Sequence, residues 1–170
     1  FIFKEFLERT INNKKYDFRP SKRFIDNSKR ENYLFNSQIN GIEKADLIFL
    51  IGTNPRFEAT MLNARIRKAY INNNVKIISL NDVGELTYDY HSLDGKTQTI
   101  KDIIDNKHKI STEIINSKNP MIILGESFLK LNAANYLFNS FKEFLVNNKK
   151  FTEDWKSLNV LSVDASTVGN

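Results

Sequence analysis

The segment DLIFLI (Asp46 to Ile51) ends at Gly52-Thr53-Asn54-Pro55, and helix-patterned sequence follows at once as far as Tyr70. No other feature limits the fold as much. A short segment apolar on both faces reads as a strand buried on both sides, and the helix that follows must cover one of them. The same arrangement recurs at VKIISL (Val75 to Leu80) and PMIILG (Pro120 to Gly125). Short apolar strands separated by helices predict an α/β fold, a parallel sheet flanked by helices.

The remaining elements fit around these strands. The first helix is expected from about Pro55 to Asn72. A polar aromatic loop with Gly84, Tyr88, Tyr90, His91 and Gly95 follows the second strand, then one or two short helices between Thr99 and Asn116. After the third strand, Leu131, Ala134, Phe138, Phe141 and Leu145 mark one stripe of a longer helix. A last helical segment carries Trp155, Leu158 and Leu161. At the other end, Ile2 to Ile11 reads as a short amphipathic helix with Phe3, Phe6 and Leu7 on one side, and Asn12 to Glu31 as an extended arm. The expected organisation is a helix and arm over 1–40, an α/β domain over 41–150 and a helical segment over 151–170.

The turn itself is chemically consistent. Proline drives the residue before it out of the helical region, as an N-cap requires. Asn54 is a favoured cap, and Pro55 suits the first helical position, where a missing N–H costs nothing. Gly52 leaves the sheet where a side chain would crowd a ligand or a neighbouring loop. The free N–H groups and the positive end of the helix dipole would suit an anion. Every strand-to-helix turn also needs a cap, so an ordinary structural turn explains the same residues. Neither the three-glycine dinucleotide fingerprint nor a Gly-Lys-Ser/Thr phosphate loop is present.

Along the helix, Met61, Leu62, Ile66 and Ala69 define an apolar arc, and Glu58 and Arg65 fall inside it. Charged groups there either reach its edge or lock the helix to another element or subunit. The second alternative predicts that both are buried and partnered.

Composition removes several functions. Cysteine is absent, so no iron–sulfur cluster can be held by thiolates here. His91 and His108 are the only histidines and lack metal-ligand spacing. The net charge of +5 comes from basic residues scattered among acids, which argues against nucleic acid. Leu47 to Ile51 is the longest apolar run, far too short to span a bilayer. LGESFL (Leu124 to Leu129) lacks the second glycine and the later histidine of a nucleophile elbow, and Ser127 reads as a helix cap. TYDYHSLDG (Thr87 to Gly95) could line a pocket, although such loops are more often packing residues.

ADLIFLIGTNPRFEATMLNARIRKAY closely resembles a run in the large iron–sulfur subunit (G-type) of respiratory complex I, mitochondrial NADH:ubiquinone oxidoreductase. Gly52, Thr53, Asn54, Pro55, Arg56, Glu58, Ala59, Asn63, Ala64, Arg65, Ile66, Arg67 and Lys68 stand in the places of its ADLILLIGTNPRxEAxxxNxRIRK pattern. RENYLFNSQINGIEKAD, LTYDYHSLDG, NPMIILGESFL and DWKSLNVL resemble its flanking segments, with Ser92 and Asp94 as local departures. The resemblance runs from about Arg30 to the C-terminus.

It implies a molybdopterin-oxidoreductase-like subdomain, of the formate dehydrogenase or DMSO reductase type. In true molybdenum enzymes such Gly-x-Asn-Pro turns hold a pterin nucleotide; in the complex I subunit the domain has lost it. The turn Gly52 to Pro55 is then vestigial, this chain carries no cofactor, and iron–sulfur clusters and FMN lie elsewhere in the complex. Arg56, Glu58, Asn63, Arg65 and Arg67 are structural or interface residues, and no catalytic residue is expected. Partners would be other complex I subunits, including the cysteine-rich N-terminal iron–sulfur part of the same subunit, on the matrix side of the mitochondrial inner membrane. The opening Phe1 and the closing DASTVGN suggest one segment of a longer subunit. The competing reading is a small-ligand domain that still uses the Gly52–Pro55 turn for a nucleotide or pterin.

Overall fold

Leu47 to Ile51 are buried without exception, and the rest of the molecule is arranged around that fact. The computed structural model describes residues 2–15 and 22–163. In chain order the elements are α1 (Ile2–Arg9), α2 (Gln38–Gly41), β1 (Leu47–Ile51), α3 (Pro55–Glu58), α4 (Thr60–Asn73), β2 (Lys76–Ser79), β3 (His91–Ser92), α5 (Thr97–Ile104), α6 (Lys109–Asn116), β4 (Pro120–Leu124), α7 (Glu126–Leu129), α8 (Ala134–Asn147) and β5 (Leu158–Val160). The sheet has the order β3-β2-β1-β4-β5 and every pairing is parallel. The three strands read from sequence are therefore neighbours, with β1 between the other two. Among the described residues no helix is long and apolar enough to cross a membrane.

Side chains alternate across the sheet, so one run of apolar residues serves two cores. Leu47, Phe49 and Ile51 pack with Ile100, Ile103, Ile114, Phe138 and Phe141 under α5, α6 and α8. Ile48 and Leu50 pack with Leu62, Ile66 and Ala69 of α4 on the other side. The two-sided burial inferred from DLIFLI is what the strand has.

Four expectations need correction. The helix after β1 is not continuous. It breaks at Ala59 (φ −153°, ψ 71°), and α4 restarts with a new rotation. Within α4 itself the buried side is narrower than the expected arc: Leu62, Ile66 and Ala69 are buried, whereas Met61 is 74% exposed. Of the helical segment expected over 151–170, residues 164–170 lie outside the described residues, and among the described ones no helix forms. Leu158 to Val160 form a strand, in which Leu158 and Val160 enter one core and Asn159 points to the opposite side. The three-residue spacing of Trp155, Leu158 and Leu161 imitated a helix, but a period of two is what pairs with β4. Leu131 lies before α8 rather than on its stripe and is 37% exposed. Ser127 is inside α7, whose N-cap is Gly125 with no side-chain bond.

Two additions concern the segments read as arm and loop. Arg23 is buried against Glu126 (2.8 Å), and the Phe24 N–H donates to the Leu129 carbonyl (2.8 Å) while its ring meets Phe138. That part of the arm is fixed to the sheet's carboxyl edge. His91 and Ser92, placed in the aromatic loop, form the edge strand beside β2.

Candidate functional site

The Gly52–Pro55 turn leaves β1 at the carboxyl edge of the sheet, beside the end of β4. In open α/β sheets this is where ligands sit. Gly52 has φ +65°, a conformation that side chains resist. A Cβ built on it would lie 2.4 Å from the Phe128 backbone nitrogen. The neighbouring glycine is equally confined. A Cβ on Gly125 would meet the Thr53 Cβ at 2.4 Å and the Gly52 carbonyl oxygen at 2.5 Å. The Gly125 N–H donates to the Ile51 carbonyl (2.9 Å), and the Ser127 N–H donates to the Gly52 carbonyl (3.1 Å). These two glycines bring two backbones together, and the space over Gly52 is filled by α7.

The polar groups of the turn are also engaged within the chain. Asn54 caps α3 as its identity predicted, accepting from the Arg56 N–H at 3.1 Å. The Glu58 carboxylate bends back over the turn. It accepts from the Thr53 hydroxyl (2.7 Å) and from the Asn54 N–H (3.2 Å). A protein carboxylate thus sits on the donors that an incoming anion would use. Glu58 is half-buried and its partners are local, not another segment as the helical arc suggested.

The other motif residues reach outward to two neighbouring segments. Three side chains take carbonyls of the loop after β2: Asn54 donates to Val83 (2.8 Å), Arg56 to Glu85 (2.9 Å) and Asn63 to Leu86 (3.1 Å). Tyr88, buried by Tyr70 and α4, donates to the Asn63 side-chain amide oxygen Oδ1 (2.7 Å), and burial holds its phenol well above its ordinary pKa. Tyr90 donates to Asp82 (2.7 Å), which that bond and the Gly84 N–H keep below the usual carboxylate range. The aromatic loop is therefore packed against α4 and held by the motif.

On the other side, Arg65 and Lys68 both bind Glu43, at 2.5 and 3.0 Å, and Asn73 donates to the Glu43 carbonyl (2.8 Å). The two cations, Lys68 first, lower the Glu43 pKa. Arg65 is partnered from another segment as expected, but its side chain is 44% exposed, so its expected burial does not occur. Arg65 lies at the edge of the buried side of α4, which Leu62, Asn63, Ile66 and Ala69 define, and its guanidinium reaches Glu43 and water there. Arg67 is exposed and bonds no other described residue.

Glu43, Gly125 and Phe128 complete the site, and sequence reasoning had not assigned them to it. Only Gly125, closing a strand as Gly52 does, carried any signal. Among the described residues no three acidic or histidine side chains gather as metal ligands. His91 lies on the edge strand, and His108 caps α6 by accepting from the Ile110 N–H (3.3 Å). An open cleft of about 420 Å³ between α5 and α8, lined by Lys101, Asp105, Tyr136 and Glu143 among others, contains none of the motif residues.

Comparison with known proteins identifies the family of the chain. The family model described as molybdopterin oxidoreductase matches residues 1–170. The chain is 36% identical over 139 residues to the potato (Solanum tuberosum) protein named NADH dehydrogenase (ubiquinone) iron-sulfur protein 1, mitochondrial, covering 82% of this chain and 19% of that one. It is 31% identical over 180 residues to the NADH-ubiquinone oxidoreductase 75 kDa subunit of Reclinomonas americana, covering 99% and 26%. It is 37% identical over 142 residues to the mitochondrial 78 kDa subunit of Neurospora crassa, covering 82% and 19%. The chain spans about a fifth to a quarter of the length of these relatives.

Proposed function

The chain belongs to the molybdopterin oxidoreductase family, and on that premise we propose that it is a structural segment of the large iron–sulfur subunit of respiratory complex I. It works in the matrix-side peripheral arm in mitochondria, supporting electron transfer from NADH to ubiquinone without holding a redox centre. FMN and the iron–sulfur clusters are carried by other parts of the complex, and its partners are complex I subunits, including the cysteine-rich part of the same subunit.

One observation carries this reading. Thr53, Asn54, Arg56, Glu58, Asn63 and Arg65 all direct their polar groups to this chain's own backbone or side chains. The motif is a brace joining the lead-in to β1, the β1 turn and the loop after β2. A pterin nucleotide does not fit the turn as it stands. Its phosphate would need the donors already given to Glu58, and its approach over Gly52 would meet Phe128. The alternative, a nucleotide or pterin held by Gly52–Pro55, requires both to move.

The test is isolation of the native assembly containing this chain, with partner identification by mass spectrometry and analysis for molybdenum and pterin. The expected result is co-isolation with complex I subunits and no molybdenum or pterin in proportion to this chain. Either cofactor in stoichiometric amount, or a chain that occurs only outside that assembly, would overturn the proposal.

A further inference from the structure

Helix α4 has two apolar sides, and the sheet covers only one of them. Leu62, Ile66 and Ala69 are buried against β1 and β2. On the opposite side Met61, Ala64, Lys68 and Ile71 follow one another at spacings of three, four and three, the spacing of a helix-packing seam. Met61 is 74% exposed and Ile71 63% exposed. Ala64, between them, is small enough to let another backbone approach. Just before the break, Phe57 is exposed as well, at 79%. Single exposed apolar residues are ordinary, but a seam in register opposite the core-facing side is a different matter. The ten steps from Met61 to Ile71 rise about 15 Å, or nearly three helical turns.

The charges say what the seam would accept. Lys68 lies within it, and Arg65 and Arg67 border it on either side. Among the described residues Glu43 is the one carboxylate bonded there, shared by Arg65 and Lys68, and Arg67 is bonded to none. The surface is therefore apolar at Met61, Ala64 and Ile71 and positive at Lys68 within the seam and at Arg65 and Arg67 beside it. A second copy of this chain would set like charges against each other, which disfavours self-pairing. An apolar helix flanked by acidic residues meets both requirements.

We propose that the outer side of α4 docks an acidic amphipathic helix of a protein partner within the assembly, with its apolar stripe on Met61, Ala64 and Ile71 and its carboxylates on Arg67 and Lys68. This rests on the structural role proposed above and specifies its contact.

The test places a photo-cross-linking benzoylphenylalanine at position 64 in the full chain and identifies the cross-linked segment in the native assembly. The expected partner is a protein segment with helical apolar spacing and flanking Asp or Glu. Two variants accompany it, Met61→Glu/Ile71→Glu and Arg67→Glu. Each should lower recovery of the chain in the assembly by about tenfold or more. Arg67→Glu changes an exposed side chain that bonds nothing else described, so a folding defect cannot account for its effect. Cross-links to a second copy, to lipid, to a basic or non-helical segment or to nothing, or normal recovery of both variants, would overturn the proposal. Absence of the unmodified chain from the assembly would instead defeat the structural role. A chain present in the assembly but not cross-linked from position 64 defeats the docking side alone.

Discussion

β1 and β4 are neighbours, and each ends in the same way. Both have five residues, both are followed by a glycine, and each leads into a four-residue helix and then one of fourteen residues. The two exits nevertheless use different chemistry. The first has Gly52 at φ +65°, Asn54 as a side-chain cap and Glu58 folded back onto the turn. The second has Gly125 at φ −100°, no side-chain cap, and Glu126 turned to Arg23 of the N-terminal arm. The backbone plan is shared because two adjacent parallel strands must both leave the sheet at one edge. The polar residues differ because each turn holds a different neighbour. Only the first is braced mostly by residues consecutive in sequence, and only there does the bracing form a recognisable motif.

The glycines are the strongest test of this pairing. A methyl group at either position meets backbone at under 3 Å, so Gly52→Ala and Gly125→Ala should each destabilise the fold by about 3 kcal/mol or more. Gly52→Ala adds the cost of a left-handed backbone, about 1–2 kcal/mol, and should be the worse of the two. Urea denaturation of both variants measures the difference. Equal tolerance of alanine at both positions would mean that the two turns do not touch as described.

The two acids separate the turns further. Arg23 is buried beside Glu126, and removing one partner of a buried pair leaves the other uncompensated. Arg23→Ala should cost about 3 kcal/mol. Glu58→Ala leaves a hydroxyl and one N–H without their acceptor in a half-buried turn, where water can reach, and should cost about 1–2 kcal/mol. The same denaturation series ranks them. Glu58→Ala proving the more damaging would make the first turn, not the second, the tighter joint.

Much of this was legible beforehand. The strands could be read because burial on both faces requires continuous apolar runs, and the Asn54 cap because its chemistry is local. Three things could not be read. The break at Ala59 accompanies the return of the Glu58 side chain to Thr53, and no periodicity records either. β5 was hidden because Trp155, Leu158 and Leu161 share a helical spacing, while Asn159, buried at the strand's centre, looks like a surface residue until Ser37 is brought to it. Arg23 lies 103 positions from Glu126, and nothing near either residue announces the pair.

At the opposite ends of the same two strands, Asp46 joins the lead-in of β1 to that of β4. Burial raises its pKa, but bonds from the Ser117 hydroxyl and the Lys118 and Asn119 N–H groups outweigh it and leave the carboxyl below its usual range. A depressed carboxylate stabilises the fold above its unfolded pKa of about 3.9 and loses that contribution as pH falls through its folded value. The stability gap between the natural chain and Asp46→Asn should therefore be present at neutral pH and shrink below about pH 4. Denaturation at both ends of that range decides it, and a gap independent of pH would remove Asp46 from the joint.

The smallest effect is expected at Arg65, which sequence placed beside Glu58 on one arc. In the structure their fates differ. Glu58 stays on the turn, whereas Arg65 lies where water reaches both it and Glu43. Exposed ion pairs gain little, because solvent screens them and ordering long side chains opposes them. Lys68 moreover reaches both oxygens of Glu43, at 3.1 and 3.0 Å, and would keep the carboxylate paired without Arg65. Arg65→Ala should leave the denaturation midpoint unchanged, while Glu58→Ala lowers it. Such a contrast between two charges seven residues apart would show that Glu58 braces the turn while Arg65 makes only an exposed pair. A loss at Arg65 as large as that at Glu58 would mean that its pair with Glu43 contributes far more than an exposed ion pair does.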